Sequence, residues 1–308
     1  MGRTKLQLVT LSTWEEYFSD FITTKKVQGL RERTIEDYQY HLTRFFQGYP
    51  DCLEEYHQLC HGVSRYFAVS NIAPATFNIR RKYLKCFFSY LEREEVVHQN
   101  PVDFPLRKDE GGARNVSRDV LTELLKLPDR KTFTGLRDYC IVLFTLDTGT
   151  RPGESLQLLP KDINLPGMEV TIRGEVAKTK VTRTVPISAL TVTYIQKLLR
   201  ARLTTWNDTV PAFCSYEGKP MLETSWGHRL KGYSKCLGCS VTPYSLRHSF
   251  ALLYLRNGGN VFTLQRTMGH ADLNMTKRYL ALTQEDLKRE HETASPVNLF
   301  NKKRVKNI

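Results

Sequence analysis

The sequence predicts a mostly α-helical protein of two domains. The first is wholly helical; the second is mainly helical with a small β-sheet or hairpin. Three observations carry that expectation. Apolar and aromatic residues recur at helical spacing through the first hundred residues. The stretch "NPVDFPLRKDEGGARNVS" (Asn100 to Ser117), rich in Pro, Gly and mixed charge, interrupts the pattern. Beyond it two short β-like runs flank a basic turn, with helical segments on both sides. A length of 308 residues suits two domains.

The first helix is expected to open at Ser12, with Glu15 three residues on as a capping box. Trp14, Tyr17, Phe18 and Phe21 follow at helical spacing. "RTIEDYQYHLTRFFQ" repeats the device with Thr34 and Asp37, then Tyr38, Leu42, Phe45 and Phe46. "TFNIRRKYLKCFFSYLEREEV" is a third helix, with Ile79, Leu84, Phe87, Phe88 and Leu91 on one side and Arg80, Arg81, Lys82 and Lys85 on the other. Such a charge run serves either as a solvated face or as a phosphate-contacting one. The second domain opens with the helices "DVLTELLKL" and "GLRDYCIVLFTLDTG". The β-runs "MEVTIR" and "TRTVPIS" then enclose "GEVAKTKV", and helical segments run on toward the basic tail "NKKRVKNI".

Composition narrows the partners. Lys and Arg number 45 against 32 Asp and Glu, a net charge of +13. Charge of that size favours a polyanion, nucleic acid before an anionic membrane. The longest apolar run, "YCIVLFTL", is far short of the roughly 20 residues a bilayer requires. No secretion signal opens the chain, so its seven cysteines are expected reduced, in a cytoplasm. Cys236 and Cys239 form a lone C-x-x-C. Cys214 and His228 neighbour it only in sequence, so no metal is expected.

Four stretches carry candidate chemistry. "TGTRPGESLQL" holds Arg151 at a helix start and Glu154 three residues on. "AKTKVTRTVPI" holds Lys178 and Lys180 in a hairpin. "TPYSLRHSFALLYL" opens a helix with Tyr244, Arg247 and His248, and positions three apart share a face. "MGHADLNMTKRYLAL" places Tyr279 nine residues after His270. Each alone has an ordinary reading: an ion-pairing arginine, hairpin-tip lysines, a core tyrosine.

In that order, Arg, Lys, Arg, His and Tyr resemble the tyrosine recombinase (phage integrase) family. The shared signs are "TG-x-R-x-x-E-x-x-x-L", a lysine hairpin ending in "VPI", "TP-x-x-LRH-x-FA", "MGH", and the Tyr nine residues past that His. The resemblance implies a helical, SAM-like core-binding domain over residues 1–107 and a catalytic domain over 118–292, on either side of the Pro-, Gly- and charge-rich linker at 108–117. The tail over 293–308 either docks in a neighbouring subunit, as C-terminal segments do in that family, or folds its apolar residues back onto its own domain. It makes Tyr279 the nucleophile and Arg151, Lys178, Arg247 and His270 its partners. Lys178 is preferred to Lys180 because it precedes "T-x-x-x-R-x-VP" as in the family. Glu154 and His248 fall at buttressing positions. Tyr244 stands where the family usually has His, which puts that residue's acid–base role in doubt.

The residue types suit the reaction on their own terms. Conserving the energy of a DNA phosphodiester needs a covalent protein–phosphate intermediate, which a tyrosine oxygen can form. Its pKa near 10 leaves under about one per cent phenolate at neutral pH. Two arginines gripping the non-bridging oxygens, each worth on the order of 3 kcal/mol, and a lysine protonating the 5′ oxygen compensate. No cofactor is required. The expected function is site-specific recombination through a 3′-phosphotyrosyl intermediate and a Holliday junction. The expected partner is double-stranded DNA with specific sites, held by a homotetramer, in a compact Xer-like or transposon-encoded enzyme. A type IB topoisomerase, a silent DNA-binding regulator and a telomere resolvase are the alternatives.

Overall fold

The computed structural model describes residues 13–69, 71–108, 116–277, 279, 288, 291–292 and 294–299. The chain divides into two units, Met1–Gly111 and Gly112–Ile308.

The described part of the first unit holds α1 (Trp14–Val27), α2 (Glu32–Phe46), α3 (Tyr56–Phe67) and α4 (Pro74–Arg93). The capping box of α1 is Thr13 with Glu16, one residue later than the expected pair. Ser12 itself lies outside the described residues. Thr34 does not open α2. Gly29, in the left-handed region at φ 74°, turns the chain. The helix then starts at once behind Arg31, which leaves Thr34 inside its first turn. The sequence reading missed α3, which lacks a side-chain N-cap; its buried stripe of Leu59, Val63, Tyr66 and Phe67 is the usable signal.

Aromatic rings fill this unit's core. Phe21, Phe45, Phe46, Phe87 and Phe88 pack with Leu42, Leu84 and Leu91. Ile79, expected on that stripe, is 48% exposed. It precedes Leu84 by five positions, about 140° round a helix, and Phe77 takes the buried place instead. Residues 100–108 are bonded to this unit. Asn100 donates to the Lys85 carbonyl (2.9 Å) and to Ser89 (2.8 Å), Val102 is buried, and Asn78 exchanges two bonds with the Arg107 backbone.

That segment also divides the expected basic face of α4. Arg81 donates to the Phe104 carbonyl, and Lys85 lies 3.8 Å from Asp103. Arg80 lies over the Tyr66 ring and Lys82 over the Tyr83 ring.

The second unit runs α5 (Arg118–Leu124), α6 (Phe133–Thr148), α7 (Pro152–Leu156), β1 (Ile163–Asn164), β2 (Glu169–Ile172), β3 (Arg183–Pro186), α8 (Ala189–Arg200), α9 (Glu223–Leu237), α10 (Pro243–Arg256), α11 (Val261–Met268) and α12 (Asn274–Lys277). The strands form one antiparallel sheet in the order β1-β2-β3, with Val170 opposite Val185. β1 was not expected, since two residues carry no readable alternation. α6 is the core helix, buried on nearly every side. It is capped by Thr132, whose hydroxyl accepts from Gly135 N, and ended by Gly149 at φ 62°. Among the described residues no helix is long and apolar enough to cross a membrane. In the tail, Pro296–Leu299 form a 3-10 turn and Val297 is exposed. Phe300 and the Leu299 side chain, expected to dock in a neighbour, lie outside the described residues.

Candidate active site

The site is assembled at helix ends. At the end of α6, Gly149 takes a left-handed turn that few side chains tolerate. A Cβ there would also meet Phe250 at 2.1 Å. The turn sends Thr150 and Arg151 back toward the core. Thr150 is buried and shares hydroxyl bonds with Thr148 (3.1 Å) and Ser155 (2.7 Å). Arg151 becomes the N-cap of α7, followed by Pro152, whose missing N–H costs a first turn nothing.

The C-terminus of α11 organises the cations. A helix ends with carbonyls that lack intrahelical partners and with a negative partial charge. Here those carbonyls collect three guanidinium groups. Arg183 Nε donates to Thr267 O at 3.1 Å. Arg247 Nη2 donates to Met268 O at 3.0 Å, and Arg151 Nη2 to Gly269 O at 3.1 Å. Gly269, at φ 63°, makes this collar possible: a Cβ would stand 2.8 Å from Arg183 Cζ.

Glu154 is the carboxylate at the centre. It is buried, pairs with Arg151 Nη1 at 3.1 Å and Arg183 Nη2 at 2.5 Å, and accepts from the Lys178 backbone N at 3.4 Å. Burial opposes its ionisation, but Arg183 and then Arg151 outweigh that and hold its pKa below the ordinary carboxylate value. Three arginines against one glutamate leave these four groups at 3 − 1 = +2. Such an excess of positive charge in a buried place favours contact with an anion.

Arg247 lies on α10, whose N-terminus is fixed by Thr242 accepting from Ser245 N at 3.1 Å. It is 4% exposed and donates also to the Gly149 carbonyl. Burial, with Arg151 next, pushes its pKa down to about 10, so it stays charged at neutral pH. Arg247 Nη2 lies 2.8 Å from His270 Nε2. A guanidinium only donates, so Nε2 is the acceptor. Nδ1 therefore carries the ring proton toward Thr276 Oγ1 at 2.8 Å. His270, expected as a partner of Tyr279, accepts here from Arg247 and steadies it.

Tyr279 is 5% exposed among Phe250, Ala251, Leu264 and Met268. Its hydroxyl lies 2.5 Å from His248 Nδ1, and its ring is parallel to that of His270 with centroids 6.5 Å apart. His248 thus touches the expected nucleophile directly, where it was read as a buttress. Tyr244, three residues before Arg247, is 52% exposed. Partial burial, then the Glu223 charge, raise its pKa, while Arg247 and Arg151 act the other way. Lys178 and Lys180 sit exposed on the loop between β2 and β3, with Lys180 at φ 57°.

Arg183 was missed, although it stands in "T-x-x-x-R-x-VP". Strand alternation was the usable signal: it shares a face with buried Val185, an unusual place for a charge. Its Nη1 is buried with no hydrogen-bond partner among the described residues. Cys214 is buried in the core and Cys236 exposed. No three His, Cys, Asp or Glu residues among those described are grouped to hold a metal ion.

Residues 114–286 match the phage integrase family. Tyrosine recombinase XerC of Myxococcus xanthus is 30% identical over 236 residues, covering 73% of this chain and 77% of its own. Tyrosine recombinase XerA of Pyrococcus furiosus is 29% identical over 290 residues, covering 91% and 94%. In fold, the Tn1549 transposon integrase in complex with a circular intermediate DNA superposes with a TM-score of 0.75 at 18% identity, over 91% of this chain and 99% of that one. The chain therefore belongs to the phage integrase family and is a tyrosine recombinase.

Proposed function

We propose that the chain recombines specific sites in double-stranded DNA through a 3′-phosphotyrosyl intermediate and a Holliday junction. The observation that carries the reading is the collar of Arg151, Arg183 and Arg247 on the carbonyls that end α11, at +2 with Glu154 counted, in the unit that buries Tyr279. In this reading Tyr279 Oη attacks phosphorus. Arg151 and Arg247 take the non-bridging oxygens as charge grows there, replacing carbonyl contacts with anionic ones. Lys178, on its exposed loop, protonates the 5′ oxygen as it leaves. Glu154 pairs with Arg151 and Arg183 and offsets their mutual repulsion. The net charge of +13 supports a DNA partner, as does the DNA carried by the integrase structure that shares this fold. Four protomers acting on two sites complete the proposal, with the tail docking in a neighbour.

Tyr279→Phe tests the reading. On a nicked duplex that traps cleaved DNA, the wild-type chain should form a covalent adduct on its recombination site, and the variant should bind that DNA equally yet form none. Native gels of the same mixtures should show two duplexes held by four protomers. A wild-type chain that binds DNA and never forms an adduct would instead support a silent regulator, for which Tyr244 is the sequence argument. An adduct on single duplexes, with relaxation of supercoils and no exchanged product, would support a topoisomerase.

A further inference from the structure

We infer that His248 is the base that takes the phenolic proton of Tyr279 during strand cleavage. The inference rests on the recombinase reading and adds a reactant to it. His248 Nδ1 and Tyr279 Oη are 2.5 Å apart. With its ring proton on Nε2, a neutral His248 offers a lone pair at Nδ1, and in that tautomer the phenol O–H donates into it. That is a base within reach of the proton it must remove. Tyr279 is buried, so bulk water has little access to do the same.

The neighbouring groups are less suited. His270 stacks on the Tyr279 ring, but its Nε2 accepts from Arg247 and its Nδ1 donates to Thr276. Its lone pair is in use. Tyr244 stands where the family usually has a His, and a phenol is a poor proton acceptor near neutrality. Glu154 is held by Arg151 and Arg183. His248 is four residues beyond Tyr244 on α10, one turn along the same face. The missing imidazole is thus replaced by one already in contact with the nucleophile. Arg247, adjacent in sequence, lies within electrostatic reach of Tyr279 and favours negative charge there.

The step balances. As Oη forms its bond to phosphorus, its proton passes to His248 Nδ1. The bond from phosphorus to the 5′ oxygen breaks with its electron pair on that oxygen, which takes a proton from Lys178. On rejoining, the 5′ hydroxyl attacks and gives its proton back to Lys178. The bond from phosphorus to Oη breaks, and His248 returns its proton to Tyr279. No redox change occurs.

His248→Asn in the full chain is the test, because an amide can hold the hydroxyl but cannot take its proton. Cleavage of the nicked duplex should slow by roughly 100-fold or more, with DNA binding unchanged. A fluorinated tyrosine at position 279, whose phenol is more acidic, should then recover most of the rate in His248→Asn. It should recover little in Lys178→Ala, which lacks the other proton. His248→Gln is the second variant should the first fail to fold. Wild-type cleavage by either variant overturns the inference. So does a loss that the fluorinated tyrosine leaves unrepaired, since His248 would then only position the ring. A wild-type chain that forms no adduct refutes the recombinase reading itself, which is a different result.

Discussion

Gly269→Ala perturbs the collar at its narrowest point. Two costs are legible. Gly269 sits at φ 63°, where a side chain costs about 1–2 kcal/mol. The new Cβ would stand 2.8 Å from Arg183 Cζ and 2.9 Å from its Nε, so the guanidinium must move. It is pinned by Thr267 O at 3.1 Å and Glu154 Oε2 at 2.5 Å, and one charged hydrogen bond is worth about 1.5–3 kcal/mol. Together the loss is about 2.5–5 kcal/mol. At about 2–3 kcal/mol per molar urea, the unfolding midpoint of this unit should fall by roughly 1–2 M. Cleavage should fall further than DNA binding. Arg151 and Arg247 hang on the adjoining carbonyls, and one misplaced transition-state donor costs about 100-fold. Gly269→Asn separates the causes: asparagine tolerates this backbone but carries the same Cβ. It should recover only the backbone part. Wild-type midpoint and rate in Gly269→Ala would refute the reasoning, and full recovery in Gly269→Asn would refute the clash.

Two further outcomes follow from the same geometry. Glu154→Gln should destabilise the unit by about 3–5 kcal/mol in urea unfolding, because two guanidinium groups lose their buried counter-charge. The folded-state pKa of Glu154 lies below its ordinary 4.5, so its contribution is complete above 4.5 and is lost as pH falls through the lowered value. Acid unfolding of wild type should therefore steepen below that point, and Glu154→Gln should flatten the curve; parallel curves would contradict the assignment. Tyr244→Phe should slow cleavage about tenfold if the hydroxyl bonds the phosphate, and an unchanged single-turnover rate would show that the ring only packs.

Periodic signals made much of the fold legible in advance. The aromatic stripes of α1, α2 and α4 repeat at helical spacing, and "TGTRPGE" spells a glycine stop followed by a proline start. What escaped lacks such signals. α3 has no capping side chain, and β1 spans two residues. Residues 100–108 carry no periodic signal, since prolines and charges dominate, yet Asn78, Arg81 and Lys85 bind them through backbone groups and Asp103. Within the site, the family motifs marked Arg151, Arg247, His270 and Tyr279. They did not reveal that His248 touches Tyr279, since that contact joins residues 31 positions apart. Arg183 was hidden because its partners are the distant Glu154 carboxylate and a carbonyl of α11, and a carbonyl has no letter in the sequence.

That last fact bears on how this site can drift over generations. α11 holds three arginines through backbone atoms, which every residue except a misfitting one supplies equally. Its side chains are therefore constrained mainly at Leu264 and Met268, which pack near Tyr279, and by the glycine that follows. Phe262, Thr263 and Arg266 face solvent. Substitutions there leave the cationic frame in place, so this helix can change its outer surface, and whatever that surface meets, without retuning the chemistry at its end.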